Sequence, residues 1–430
     1  MPQAEVSGVF TTSRFLSIFP HLPRSKEYSA LVKLVWALLI FFSLFSFKIN
    51  LFQLGSEVVF VKLEDIVFVL LFFLAAFRLK AVNSLPLDLP IIVFIFIGLL
   101  SVFFGILRHT ISEPFAGFFY LTKIAQYFLV FYLSLVIFQQ ELKAGFFLKL
   151  MFVPVFLIAG YGIIEHFFPY AHYPFSCPFY YRIYERGFFY HDASHFAAVL
   201  MFFSSLLFGI LLYMDKPLLK KVIFLAGIIL LCLPLFWTYS RASYIALFVS
   251  LLFISALRSK KILFLTIFIM IFIAVLSPHA IFERLVSIKQ TFLNSDPNNS
   301  SVAYRFQQIK YAWEGIRQYP LFGIGIGGRE RVFYENQYLM ILAEMGIFGF
   351  IAFISVIFTI FKTVWFLQRK TASNFIRGLA IGYLGGFLGL LIVSNALVVF
   401  MISRIMFVFW AMTALILWLW EKEKKNEAYL

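Results

Sequence analysis

Apolar runs about as long as a bilayer is thick recur along the whole of this 430-residue chain, and that feature decides what it can fold into. They fall near 31–47, 58–77, 89–107, 115–138, 145–165, 193–213, 219–238, 242–257, 260–277, 338–361, 376–394 and 399–420. A lipid-facing backbone must satisfy its own polar groups, which helices do within one segment. The expectation is an all-α polytopic membrane protein with about twelve transmembrane helices, residues 1–430 forming one integral membrane domain. The second run carries Lys62, Glu64 and Asp65, and the eighth is short. Composition agrees. Hydrophobic residues make up 62% and charged residues 13%, about half the charge of an ordinary soluble chain. That excludes a soluble enzyme and a disordered or collagenous chain. The two cysteines exclude a disulfide framework.

The charge of +15 needs no nucleic acid partner, because basic residues mark cytoplasmic loops. With both termini inside, nineteen Lys and Arg fall in inner segments and five, Lys48, Arg108, Arg182, Arg186 and Arg241, in the outer loops other than 278–337. The expected topology has cytoplasmic N and C termini. The first 27 residues are mostly polar, and no small-residue cleavage site follows the first apolar run, so no cleavable signal peptide is expected.

Two outer loops are long, 166–192 and 278–337, and both are aromatic. Long loops in a compact fold are usually functional or disordered, and aromatic content argues against disorder. In the extracytoplasmic loop 278–337, Val302, Phe306, Ile309, Trp313 and Ile316 repeat at helical spacing. This predicts an amphipathic helix, lying on the outer membrane surface or packed across the mouth of the bundle. Pro320 ends it, and GIGIGG at 323–328 reads as a flexible turn back to the membrane. No strand precedes that glycine run, so it is not a dinucleotide fingerprint.

Several residues can carry chemistry. Arg241, in TYSRASY, either snorkels to the interface or aims its guanidinium into an outer cavity, where it would bind an anion. Arg305 either flanks the apolar face of the loop helix or points into the same cavity. Arg182, Tyr184 and Arg186, in YRIYERGFF, form either a solvated aromatic loop or a platform for a sugar and its anionic group. His191 and His195 share a spacing but lack a third metal ligand, so no metal site is expected. Glu64 and Asp65 either cap the second span or mark an intramembrane site. Glu335 and Asn336 end the long loop, and Glu344 follows inside the next span.

Four of these pieces, in this order, resemble the O-antigen ligase and O-antigen polymerase superfamily. They are RGFFYHDASHFAAVL at 186–200, TYSRASYIALF, YRFQQIKYAWEGIRQYPLFGIGIGG and ENQYLMILAEMGIFGF, together covering about 186–350. The resemblance implies a helical glycosyltransferase working without metal or cofactor in the bacterial inner membrane. It implies an undecaprenyl-diphosphate-linked glycan as donor and a lipid or glycan acceptor, among membrane lipids. The family's arginines correspond to Arg186, Arg241 and Arg305. The ligase's histidine is Glu335 here, which leans the reading toward polymerase, with ligase as the alternative. A carboxylate can still serve as general base. Catalysis is thus expected at Glu335, Arg305 and Arg241, and substrate binding at Arg186, Arg182, Asn336 and Tyr184. A transporter is the competing class. It would need charged or broken helices at the midplane and internal repeats, and no repeat relates the two halves.

Overall fold

The computed structural model describes residues 26–45, 48–54, 57–76, 79, 84–111, 114–139, 144–167, 193–276, 300–328 and 334–427. Its helices are α1 (Lys26–Phe45), α2 (Leu63–Ala75), α3 (Asp88–Leu107), α4 (Pro114–Phe138), α5 (Ala144–Phe167), α6 (Ala193–Tyr213) and α7 (Leu218–Trp237). They continue as α8 (Arg241–Arg258), α9 (Lys260–Leu276), α10 (Ser300–Gln318), α11 (Gln337–Lys370), α12 (Asn374–Val393) and α13 (Ser403–Glu427). Among the described residues, ten helices are long and apolar enough to cross a membrane. The protein is a helical, multi-pass membrane protein.

All twelve expected spans contain a helix, but two are too short by this measure. The run at 58–77 divides into a strand and the 13-residue α2, well under the roughly 20 residues that span a bilayer. Its opening Val58-Val59-Phe60-Val61 is β-branched and aromatic, and such a run favours a strand when a partner lies beside it. The partner is adjacent: β1 (Lys48–Leu54) pairs antiparallel with β2 (Glu57–Lys62). The run at 260–277 is the 17-residue α9.

The outer surface confirms lipid as the solvent. Helix α3 exposes Leu89, Ile92, Phe96 and Phe103 while burying Ile91, Phe94 and Val102. A helix apolar on both sides is stable only against other apolar matter. Inside the bundle, α6 and α12 touch backbone to backbone. A Cβ on Gly209 would lie 2.4 Å from Gly382 Cα. Close approach of this kind replaces the hydrophobic drive that lipid removes. Gly382→Val is expected to lower the unfolding temperature in detergent sharply, while Gly145→Ala, where a Cβ meets nothing within 4 Å, should leave it unchanged.

The acids at the head of α2 are structural. Ser403 Oγ donates to Glu64 Oε1 at 3.3 Å, Lys62 Nζ lies 4.0 Å from the same oxygen, and Asp65 pairs with Lys123. Gln126 Nε2 also donates to Asp65, at 3.0 Å. These contacts tie α2, α4 and α13 together.

Candidate functional site

Helix α11 is broken. Gly346 has φ 65° and ψ −165°, so the helix changes direction nine residues after Gln337. A break inside a membrane leaves backbone groups that must be satisfied locally. Here the segment after α10 supplies the partners. Ile324 N donates to Ala343 O at 2.9 Å and Gly325 N to Glu344 O at 3.0 Å. In return Ile347 N donates to Pro320 O at 2.8 Å and Phe348 N to Leu321 O at 3.3 Å. Ser101 Oγ on α3 also donates to Glu344 O, at 2.7 Å. The glycine run is therefore a clamp around the break, and the expected flexible turn is corrected.

Glycine is required on both sides of the clamp. Gly323, Gly325 and Gly327 have positive φ. A Cβ on Gly323 would sit 2.4 Å from Glu344 C and one on Gly346 would sit 2.4 Å from Leu321 O. The end of α3 braces the outside of the loop. Arg108 Nη1 donates to Gly323 O at 3.3 Å, its guanidinium covers the Tyr319 ring at 4.7 Å, and Thr110 Oγ1 donates to Ile324 O. Gly346→Ala is expected to destabilise the fold by at least about 1–3 kcal/mol, the usual cost of a strained backbone position. Thermal unfolding in detergent reads it, and a wild-type midpoint would contradict the clamp.

Glu335 and Asn336 stand where this loop meets the head of α11. Asn336 is the N-cap: its Oδ1 accepts from Tyr338 N at 2.9 Å and Leu339 N at 3.0 Å, and its Nδ2 donates to Asn395 O at 3.1 Å. Such a cap satisfies donors the helix leaves orphaned. Gln337 N donates to Ser394 O at 2.9 Å and Gln337 Oε1 accepts from Phe400 N at 3.0 Å, locking α11 to the α12–α13 connection. Glu335 is half-buried, and its backbone N–H donates to Gln308 Oε1 at 3.0 Å.

Gln308 comes from α10. The amphipathic helix is there, and its apolar residues Ile309 and Trp313 are 48% and 54% exposed. Gln308, Ala312 and Gly315 are buried in their place. The face carrying Gln308, Ala312 and Gly315 packs inward, and Ile309 and Trp313 stay exposed. Arg305 lies on α10 one turn before Gln308; its side chain is outside the described residues.

Arg241 is the first residue of α8 and is half-buried. The turn before it is tight. Tyr239 has φ 52°, Ser240 N donates to Thr238 Oγ1 at 3.3 Å, and Ser240 and Ser243 hydroxyls lie 3.1 Å apart. Arg241 stands at the same end of the bundle as Glu335. Helix α8 runs beside α12, with Ser250 Oγ donating to Gly385 O at 2.7 Å and standing 2.5 Å from a Cβ built on Gly389. Going back along α8 to Arg241 leads toward Ser394, the partner of Gln337 N. Arg182, Tyr184, Arg186 and His191 lie outside the described residues.

Below Gln337 a cavity of about 40 Å³ follows α11 past its break. Its lining is mostly Phe, Met and Ile, with Tyr127, Gln337 and the buried Glu344 as polar groups. Tyr127 OH donates to Met401 O at 3.1 Å. Among the described residues no group of three or more His, Cys, Asp and Glu side chains comes together as a metal site. Sequence reasoning missed two polar groups. Gln308 looked like one more polar residue on a surface helix. Glu165, on the buried stripe of α5, is 4% exposed with Oε2 unpartnered among the described residues; its place at the end of an apolar run gave no signal.

The fold defines a multi-pass membrane protein with a broken helix, a glycine clamp around the break and a loop helix that reaches the Glu335 backbone. Residues 225–354 match the family described as O-antigen ligase. That stretch is less than a third of the chain, and it contains Arg241, Arg305, Gln308, the glycine clamp, Glu335, Asn336 and the break at Gly346. The matched stretch contains three of the four pieces that carry the resemblance and leaves out the one at 186–200. No curated protein matches the chain.

Proposed function

We propose that this protein is a glycosyltransferase of the O-antigen ligase and polymerase type, acting on a glycan carried on undecaprenyl diphosphate at the outer face of the bacterial inner membrane. The single observation that carries this reading is the matched stretch, because it spans the site-forming elements from Arg241 to Gly346. In the proposed reaction an acceptor hydroxyl attacks the anomeric carbon of the lipid-linked sugar, and the prenyl diphosphate leaves. Glu335 takes the hydroxyl proton. Arg241 and Arg305, with Arg182 and Arg186 from the aromatic loop, neutralise the diphosphate as charge develops on it. Tyr184 stacks on the sugar, and Asn336 fixes the backbone that carries Glu335.

Two acceptors fit this chemistry. Glutamate where the ligase has histidine favours a polymerase, whose acceptor is the next lipid-linked repeat. The description of the matched family favours a ligase, whose acceptor is lipid A–core. Deleting the gene and running surface polysaccharide on a gel separates them. Loss of a polymerase leaves core plus one repeat; loss of a ligase leaves bare core and accumulated lipid-linked chains. Unchanged polysaccharide would sink both.

The reading also fixes an orientation. With the native cysteines replaced, Lys310→Cys on α10 is expected to react with a membrane-impermeant maleimide in spheroplasts. Lys220→Cys, exposed at the other end of the bundle, should react only after lysis. The reverse pattern would invert the topology and remove the site from the outer face.

A further inference from the structure

Gln308 combines two properties that a surface-helix residue does not need. It is 3% exposed, and its Nε2 is buried and donates to nothing among the described residues. The orientation of its amide is settled by chemistry, because a backbone N–H at 3.0 Å needs an acceptor and only Oε1 can be one. The orphaned group is therefore the NH₂, and it is tied by its own side chain to the residue that carries the acid. Buried donors left unpaired are rare in folded proteins and call for a reason.

We infer that Gln308 binds the acceptor, its Nε2 donating a hydrogen bond to the oxygen of the attacking hydroxyl while Glu335 receives that hydroxyl's proton. This rests on the transferase reading and adds the residue that selects the nucleophile. In the transfer the acceptor oxygen forms a bond to the anomeric carbon. The bond from that carbon to the phosphate oxygen breaks, and its electron pair leaves on the prenyl diphosphate. The proton goes to the Glu335 carboxylate. Gln308 exchanges no proton; it holds the oxygen in line. A neutral carboxamide suits this task better than it suits the diphosphate, which carries charge and is matched by guanidinium groups. An acceptor hydroxyl held between the two would meet a hydrogen-bond donor at Gln308 and a proton acceptor at Glu335.

Reconstituted protein with a prenyl-diphosphate-linked glycan donor and a titrated acceptor tests this. Gln308→Glu keeps an oxygen for the Glu335 N–H, removes the donor and adds a carboxylate beside Glu335, so the pH profile of kcat is read alongside. It is expected to raise the acceptor KM about 5- to 10-fold, the loss of one hydrogen bond, with the donor KM unchanged. Gln308→Met removes both bonds and should lower kcat as well, because Glu335 loses its anchor. If Gln308 served only the backbone, Gln308→Glu would keep the wild-type acceptor KM, and that result overturns the inference. A rise in donor KM in place of acceptor KM also overturns it, by moving the amide to the diphosphate. Absence of transfer by the wild-type protein sinks the transferase reading itself, whereas active wild type with an unaffected Gln308→Glu sinks only the role of Gln308.

Discussion

Glu335→Gln is expected to cut turnover by about 10²–10⁴-fold, the usual size of a general-base contribution, while donor binding survives. The substitution keeps the shape of the side chain and removes only its basicity. It also leaves the backbone intact, so the hydrogen bond from the residue 335 N–H to Gln308 Oε1 is preserved. The cap at Asn336 and the clamp at Gly346 do not involve the Glu335 side chain in any of their hydrogen bonds. A loss of activity therefore reports on chemistry and not on folding, and an unchanged unfolding temperature checks this. Glu335→His is expected to retain activity, since histidine occupies this place in the ligases that the chain resembles. Normal turnover by Glu335→Gln would move the base elsewhere, with His191 the next candidate.

Arg241→Ala and Arg305→Ala are each expected to lower transfer by about 10- to 150-fold, from losing a charge-assisted contact worth about 1.5–3 kcal/mol. Insertion into the membrane should be unaffected. Lysine should restore only part of the rate, because it keeps the charge and loses the planar fork. Arg241 and Arg305 stand on different elements, α8 and α10, so an effect at both requires that one ligand reach both. Near-wild-type transfer by both alanine variants, at equal protein level, would return Arg241 to the role of an interfacial anchor.

Much of the fold was legible because lipid imposes a simple rule on sequence: a run of apolar residues about a bilayer thick is a helix. Among the described residues, that rule located all ten helices long and apolar enough to cross a membrane. It failed at 58–77, where hydrophobicity alone could not separate Val58–Lys62, a strand by its β-branched residues, from the helix that follows. The glycine run was legible as a turn, but not as a clamp. Its partners, the broken stretch of α11 around Gly346, lie about twenty residues further on, and a contact at that distance leaves no local pattern. Which face of α10 packs on the protein also required the fold. Periodicity finds the apolar stripe, yet in a membrane protein that stripe can point to the lipid interface, and the small face of Gln308, Ala312 and Gly315 packs inward. Glu335 and Asn336 were visible as polar residues at a loop end. That Asn336 is the cap of α11, and that Gln308 reaches the Glu335 backbone, required the fold.

The central claim is that the acid at the head of α11 drives transfer of a lipid-linked glycan. The most direct test is purified protein in liposomes, supplied with a prenyl-diphosphate-linked glycan and either a second lipid-linked repeat or lipid A–core. Released prenyl diphosphate and enlarged product are measured together for the wild type and Glu335→Gln. The account predicts stoichiometric release and product growth with one of the two acceptors, and a loss of about 10²–10⁴-fold in the variant. Folded wild-type protein that transfers to neither acceptor, or a Glu335→Gln variant that transfers at the wild-type rate, would contradict it.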